Sequence, residues 1–240
     1  MTAAEVDLKT QRHFGEMAGL AVGICRRHAL VLLSIALINP LFSVLQMSLD
    51  AFTPGLPSLG SSIQAFVVGP YVIAALVVAI NDAVTGSIPA TWRSLSVARS
   101  RFVGVVTSDL LATALMLVSL VGIPYFFVRW IFVPQAVMIE GKRNWAALDA
   151  SSSLVRGSWW RVCGVLLVLY CFVTVAIVWM AISVITGAEW LRNPGLRLGW
   201  QVVAAFLLPF IVAVETLLYY DLRVRHGAAE PAMRLEWSDA

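Results

Sequence analysis

From Val103 to Ile139 the chain stays apolar for about 37 residues, whereas one membrane crossing takes roughly 20. A run of that length fits neither a soluble core helix nor a single span, so it must double back. Gly122-Ile123-Pro124 is the natural break, because glycine frees the backbone and proline cannot continue the preceding helix. The half after the break, about 15 residues or roughly 22 Å long, is short for a crossing unless the break itself contributes. Across the 240 residues, 60% are apolar and 13% charged, which excludes an ordinary soluble protein. The expected fold is all-α, a polytopic membrane protein.

Apolar runs bounded by turn residues place six spans near 28–49, 63–83, 103–121, 123–139, 159–187 and 198–220 within one transmembrane domain, 1–225, followed by a short cytoplasmic tail, 226–240. Three charged segments lead into spans. In the first, Phe14, Met17, Ala21 and Ile24 recur at helical spacing, with Glu16, Arg26 and Arg27 on other faces. In the second, Trp92, Leu95, Ala98 and Phe102 form the apolar stripe, against Arg93, Ser96 and Ser100. The third carries Trp145, Leu148, Ser152, Val155 and Trp159 on one stripe, with Asp149, Ser153 and Arg156 opposite. Each such helix is expected to lie in the headgroup layer and then bend into the bilayer, giving three units of amphipathic elbow plus helical hairpin. Gly15, Gly19 and Gly23 fall four apart, a spacing that suits close helix packing or a hinge.

Lys and Arg set the orientation. In the six-span arrangement Lys9, Arg12, Arg26, Arg27, Arg93, Arg99, Arg101, Lys142, Arg143, Arg156, Arg161, Arg223, Arg225 and Arg234 share one side, against Arg192 and Arg197 on the other. The positive-inside rule then puts both termini in the cytoplasm. With a net charge of only +3 and basic residues scattered between apolar runs, a nucleic-acid partner is not expected. No cleavable secretory pattern precedes the first span, which is expected to remain in the mature protein. Cys25, Cys163 and Cys171 show no metal-ligand spacing and read as small packing residues.

The string Ala147-Leu148, Ser151, Leu154-Val155, Gly157, Trp160-Arg161 and Gly164, preceded by Arg129-Trp130, Pro134 and Glu140-Gly141, resembles the glycerophosphoryl diester phosphodiesterase membrane-domain family of bacterial multipass proteins. The ending from Thr216-Leu217-Leu218-Tyr219-Tyr220-Asp221 to Arg225 is similar to that family's closing motif. The resemblance implies an all-helical membrane module of mostly undefined role, fused in some members to a soluble catalytic barrel. Fifteen residues follow Arg225, so the module is expected here without the barrel and without its enzyme activity.

Metal-dependent phosphodiester chemistry needs carboxylates and histidines gathered around an ion. His13, His28 and His226 have no carboxylate at ligand spacing, and no hydrolase or phosphate-binding motif occurs. No catalytic residue, metal or cofactor is expected. Ionisable residues inside spans carry more information, since charge in hydrocarbon is costly. Asp109, Arg129 and Glu215 fall about 10, 16 and 9 Å deep at 1.5 Å per residue, so they are expected as an intramembrane polar group, either a structural ion pair or a binding site. Pro40, Pro70 and Pro209 lie roughly 18 to 20 Å deep and free the carbonyls of Ala36, Phe66 and Ala205, as simple kinks or as a broken-helix substrate layer. Trp92, Arg93, Trp145, Arg156, Trp159, Trp160 and Arg161 are candidate lipid-headgroup contacts, by specific grip or by interfacial anchoring. The expected function is that of a non-catalytic inner-membrane protein, an accessory or assembly partner whose contacts are the bilayer and another membrane protein or itself. The alternative is a transporter or binder of a lipid or other amphiphile.

Overall fold

A computed structural model describes residues 13–52, 60, 62–118, 122–171 and 194–226. All regular structure in these residues is helical. Three helices are long and apolar enough to cross a membrane: Ala29–Ser48, Gln64–Val84 and Leu198–Arg225. They stand where the first, second and sixth spans are expected. Two further candidates are bent pairs, Thr91–Ser100 with Phe102–Val118 at 64° and Trp145–Val155 with Trp159–Cys171 at 101°.

Helix α1 (Phe14–Arg27) buries Met17, Ala21 and Ile24, the stripe read from the sequence, against the last helix, and ends at His28. Gly15, Gly19 and Gly23 line its outer side, where an added Cβ would meet nothing, and the helix runs through them unbroken. Among the described residues no neighbour packs closely against them. The first span divides into α2 (Ala29–Ala36) and α3 (Ile38–Phe52). Pro40 explains the division, because its ring displaces the carbonyl of Ala36, the last residue of α2.

The other span prolines act differently. Ahead of α4 (Gly69–Val84) the backbone widens into a π-helical turn over Gln64–Val68, which contains Phe66, the carbonyl that Pro70 frees. Pro209 sits inside an unbroken last helix. Helix α4 is the hub: 67% of its span is buried, against 33% of the first. Ala74, Ala75 and Ala79 are fully buried and let α4 approach its neighbours closely. It closes on Gly86, whose φ of +80° suits glycine.

Helices α5 (Thr91–Ser100) and α6 (Phe102–Val118) form the second elbow. The face of α5 turned inward carries Ser94, Val97 and Ala98, while Trp92 is 81% exposed. The expected stripe is therefore rotated, because α5 packs on the small-residue surface of α4 through small side chains. Helices α7 (Ile123–Trp130) and α8 (Val133–Glu140) both pack on α6. At about 12 Å each, neither crosses a membrane alone. The expected reversal also involves residues 119–121, outside the described residues, as does the fifth span beyond Cys171.

Helix α9 (Trp145–Val155) buries Ala147, Leu148, Ser151, Ser152 and Val155 on α7 and α8, with Asp149, Ser153 and Arg156 outward as expected. Trp145, expected on the stripe, is 63% exposed. Gly157, at φ +84°, turns the chain into α10 (residues 159–171), and α11 (Pro194–Arg225) packs along α1, α2, α3 and α4.

Candidate functional site: a polar belt and the groups buried above it

The last turns of α11 carry Tyr219, Tyr220, Asp221, Arg223 and Arg225, and their partners come from three other helix ends. Asp221 is buried and accepts hydrogen bonds from Arg161 at 3.0 Å and Arg225 at 2.8 Å. Glu140, closing α8, pairs with Lys142 at 2.7 Å and Arg223 at 3.6 Å, and the Tyr219 hydroxyl donates to it. Tyr220 donates to Asn81, and the neighbouring Asp82 faces Arg93 at 3.5 Å. Burial pushes the Glu140 carboxyl up, but the hydrogen bonds from Lys142 and Tyr219 and the charges of Lys142 and Arg223 outweigh it and hold it below the ordinary carboxylate range. One belt thus fastens the ends of α4, α5, α8, α10 and α11.

The expected group of Asp109, Arg129 and Glu215 is not assembled. Arg129 donates to the Tyr125 hydroxyl at 3.4 Å and lies over that ring, one turn back on its own helix. Asp109 makes no ion pair among the described residues. Glu215 is buried and accepts a 2.6 Å hydrogen bond from Tyr170 on α10. Gln135 of α8, wholly buried, lies beside it with its carboxamide atoms otherwise unpartnered. Depth along separate helices says nothing of the faces they turn, and here those faces diverge.

The break between α7 and α8 shows what the serines of α9 do. The break at residues 131 and 132, just ahead of Pro134, leaves the Arg129 carbonyl and the Phe132 N–H without intrahelical partners. Ser151 supplies both: its hydroxyl donates to the Arg129 carbonyl at 2.8 Å and accepts from the Phe132 N–H at 3.2 Å. Ser152 accepts from the Trp130 indole at 3.1 Å. At the start of α9, Asn144 holds a positive φ of 51°, gripped by Thr107 at 2.7 Å and Ser108 at 2.8 Å on α6. Arg101 donates to the Val137 and Met138 carbonyls at the end of α8, 3.1 and 2.9 Å away.

Far from the belt, three spans share a neutral cluster. The amide nitrogen of Gln64, in the π-helical turn, lies 3.1 Å from Asn39 Oδ1 and 2.6 Å from Ser43 Oγ. Ser43 donates in turn to Gln201 of α11. Amide and hydroxyl groups of this kind satisfy one another without ions.

Among the candidate headgroup residues, Trp92, Trp145 and Trp160 are exposed at the elbows. Trp159 instead turns inward and stacks on Tyr125 at 6.0 Å. Arg93 and Arg161 are drawn to Asp82 and Asp221, while the Arg156 side chain stays exposed. Among the described residues no three His, Cys, Asp or Glu side chains form a metal-holding group.

The belt residues Glu140, Asp221 and Asn81 stand at span ends in the sequence, where polar residues mark boundaries, so nothing there signals their mutual contact. A hint lay in Tyr219-Tyr220-Asp221, with two phenols and a carboxylate beside two arginines. Comparison of the chain with protein-family models, curated proteins and solved structures gives no match.

Proposed function

We propose that the chain is a non-catalytic integral protein of a bacterial inner membrane, with six spans in three elbow-and-hairpin units and both termini cytoplasmic. It works as an accessory or assembly partner of a membrane or envelope system. One observation carries this reading. The carboxylates of the belt engage arginines, a lysine and a tyrosine of the same chain, whereas large apolar side chains such as Leu30, Val103, Val118 and Leu167 stand outward on separate helices. Chemistry is thus turned inward, and the outward faces suit contacts made within the bilayer.

Extraction in a mild detergent or native nanodiscs, followed by identification of co-purifying proteins, tests the proposal. A membrane protein recovered in fixed ratio is the expected result. Recovery of the chain with lipid and no protein overturns it in favour of amphiphile binding. Glu215→Gln, which keeps an acceptor for Tyr170, should leave both fold and partner in place.

A further inference from the structure

Where the first elbow meets α11, the surface carries a cleft of about 250 Å³ whose walls are apolar apart from one arginine. Ala29 and Leu33 of α2 form one wall; Phe206, Pro209 and Phe210 of α11 form the other; Arg26 closes one end. Span one runs antiparallel to α11, since Ser43 meets Gln201 while Ala29 lies level with Phe210. Arg26 is therefore at the end of the bundle where the ion-pair belt lies. Ser34, hydrogen-bonded at 2.9 Å to Thr91 beside the Arg93–Asp82 pair, fixes the same level.

Arg26 differs from the belt cations. Arg93, Arg161, Arg223 and Arg225 each face a carboxylate of this chain, but Arg26 and its neighbour Arg27 are exposed and form no ion pair among the described residues. An apolar slot opening between two spans and bordered by Arg26, with Arg27 next to it and neither in an ion pair among the described residues, is complementary to an acyl chain that carries an anionic head. Size narrows the choice further. An apolar cavity of about 150 Å³ takes a benzene ring, so this cleft takes a stretch of hydrocarbon chain, whereas a helix about 10 Å across does not fit.

We infer that this cleft is a binding site for one anionic phospholipid, with an acyl chain between Ala29–Leu33 and Phe206–Phe210 and its phosphate at Arg26 and Arg27. Lipid here and protein on the outer faces are separate occupants, and each assignment can fail without the other.

The test reconstitutes the full chain in vesicles of equal phosphatidylglycerol and phosphatidylethanolamine, extracts it in mild detergent and reads retained lipid by native mass spectrometry. The wild-type chain should keep phosphatidylglycerol in preference. Arg26→Gln with Arg27→Gln should lower that preference about fivefold per arginine, the equivalent of roughly 1 kcal/mol for each charge near an anionic surface. Arg26→Lys should retain most of it, and Arg99→Gln, at an exposed arginine of α5 outside the cleft, should leave it unchanged. Ala29→Phe fills the slot without touching charge and should abolish retention of both lipids. Both arginines are exposed, so their removal leaves the fold intact, which circular dichroism verifies. An unchanged lipid ratio in the double variant, retention by the Ala29→Phe protein, or a second copy cross-linked through Val22 and Phe206 would each overturn the assignment.

Discussion

At its Arg225 end α11 is held by ions: Asp221 between Arg161 and Arg225, and Arg223 against Glu140. At Gln201, about 30 Å back along the axis, the same helix is held by an amide and a hydroxyl and carries no charge at the contact. Both regions knit several spans together, yet they use different chemistry. An ion taken from water is costly even when a partner offsets part of that cost, whereas neutral groups hydrogen-bond with far less desolvation. Glu215, buried between the two contacts along α11, is met by a phenol, a neutral donor.

Breaking the belt should therefore cost most. Asp221→Ala removes the carboxylate that two guanidinium groups share, and its loss is expected to destabilise the bundle by about 3 kcal/mol, the lower end of the range for breaking a buried pair because Arg161 keeps some solvent. Chemical unfolding followed by helical ellipticity measures it. Arg161→Ala added to that variant should cost little more, since the contact is already gone; full additivity of the two would break the contrast drawn here.

Next in size comes Ser151→Ala, which strands a carbonyl and an N–H in the α7–α8 break and should cost about 2 kcal/mol. Amide exchange at Phe132 should accelerate while exchange in α4 does not. Uniform acceleration across the bundle would mean that Ser151 supports global packing instead.

These two sites also mark how far the sequence can be read. The buried face of α1 followed from 3.6-residue periodicity, and the carbonyl freed by Pro40 fell at the boundary where the helix divides, because both are local consequences of chain geometry. The hub role of α4 was not legible, since in a membrane protein an apolar residue facing lipid and one facing another helix have the same hydropathy. Nor was the separation of Arg129 from Asp109: its depth was readable, but its rotation about the helix axis, which decides whether it faces Asp109, depends on the packing of α7 against α6 and α9. Ser151 looked like one polar residue in a run of three, and only the fold reveals that it faces a broken backbone.

Acid should loosen the belt in a definite direction. The folded Glu140 carboxyl lies below its unfolded value, so its contribution is fully present above the ordinary carboxylate range and is lost as pH falls through the folded value. For a half-exposed ion set this contribution is about 1 kcal/mol. Unfolding free energies of wild type and Glu140→Gln should differ at neutral pH and converge in acid. A gap that widened on acidification would reverse the sign assigned here.

The smallest effect is expected where charge is absent. Gln64→Leu removes the amide that bridges Asn39 and Ser43, yet Ser43 keeps Gln201 as an acceptor, so the cluster is thinned and not emptied. Hydrogen bonds between membrane helices average about 0.6 kcal/mol, because in the unfolded, membrane-inserted chain the same groups find other partners. A loss near that value, independent of pH and of salt, would set it apart from Asp221, whose partly exposed partners respond to ionic strength. A loss as large as that of Asp221→Ala would show that the π-helical turn, and not the amide alone, depends on Gln64. Gln64→Ala, which removes the side chain bulk along with the amide, separates the two: a cost well above that of leucine assigns the turn to packing, and an equal cost assigns it to the hydrogen bond.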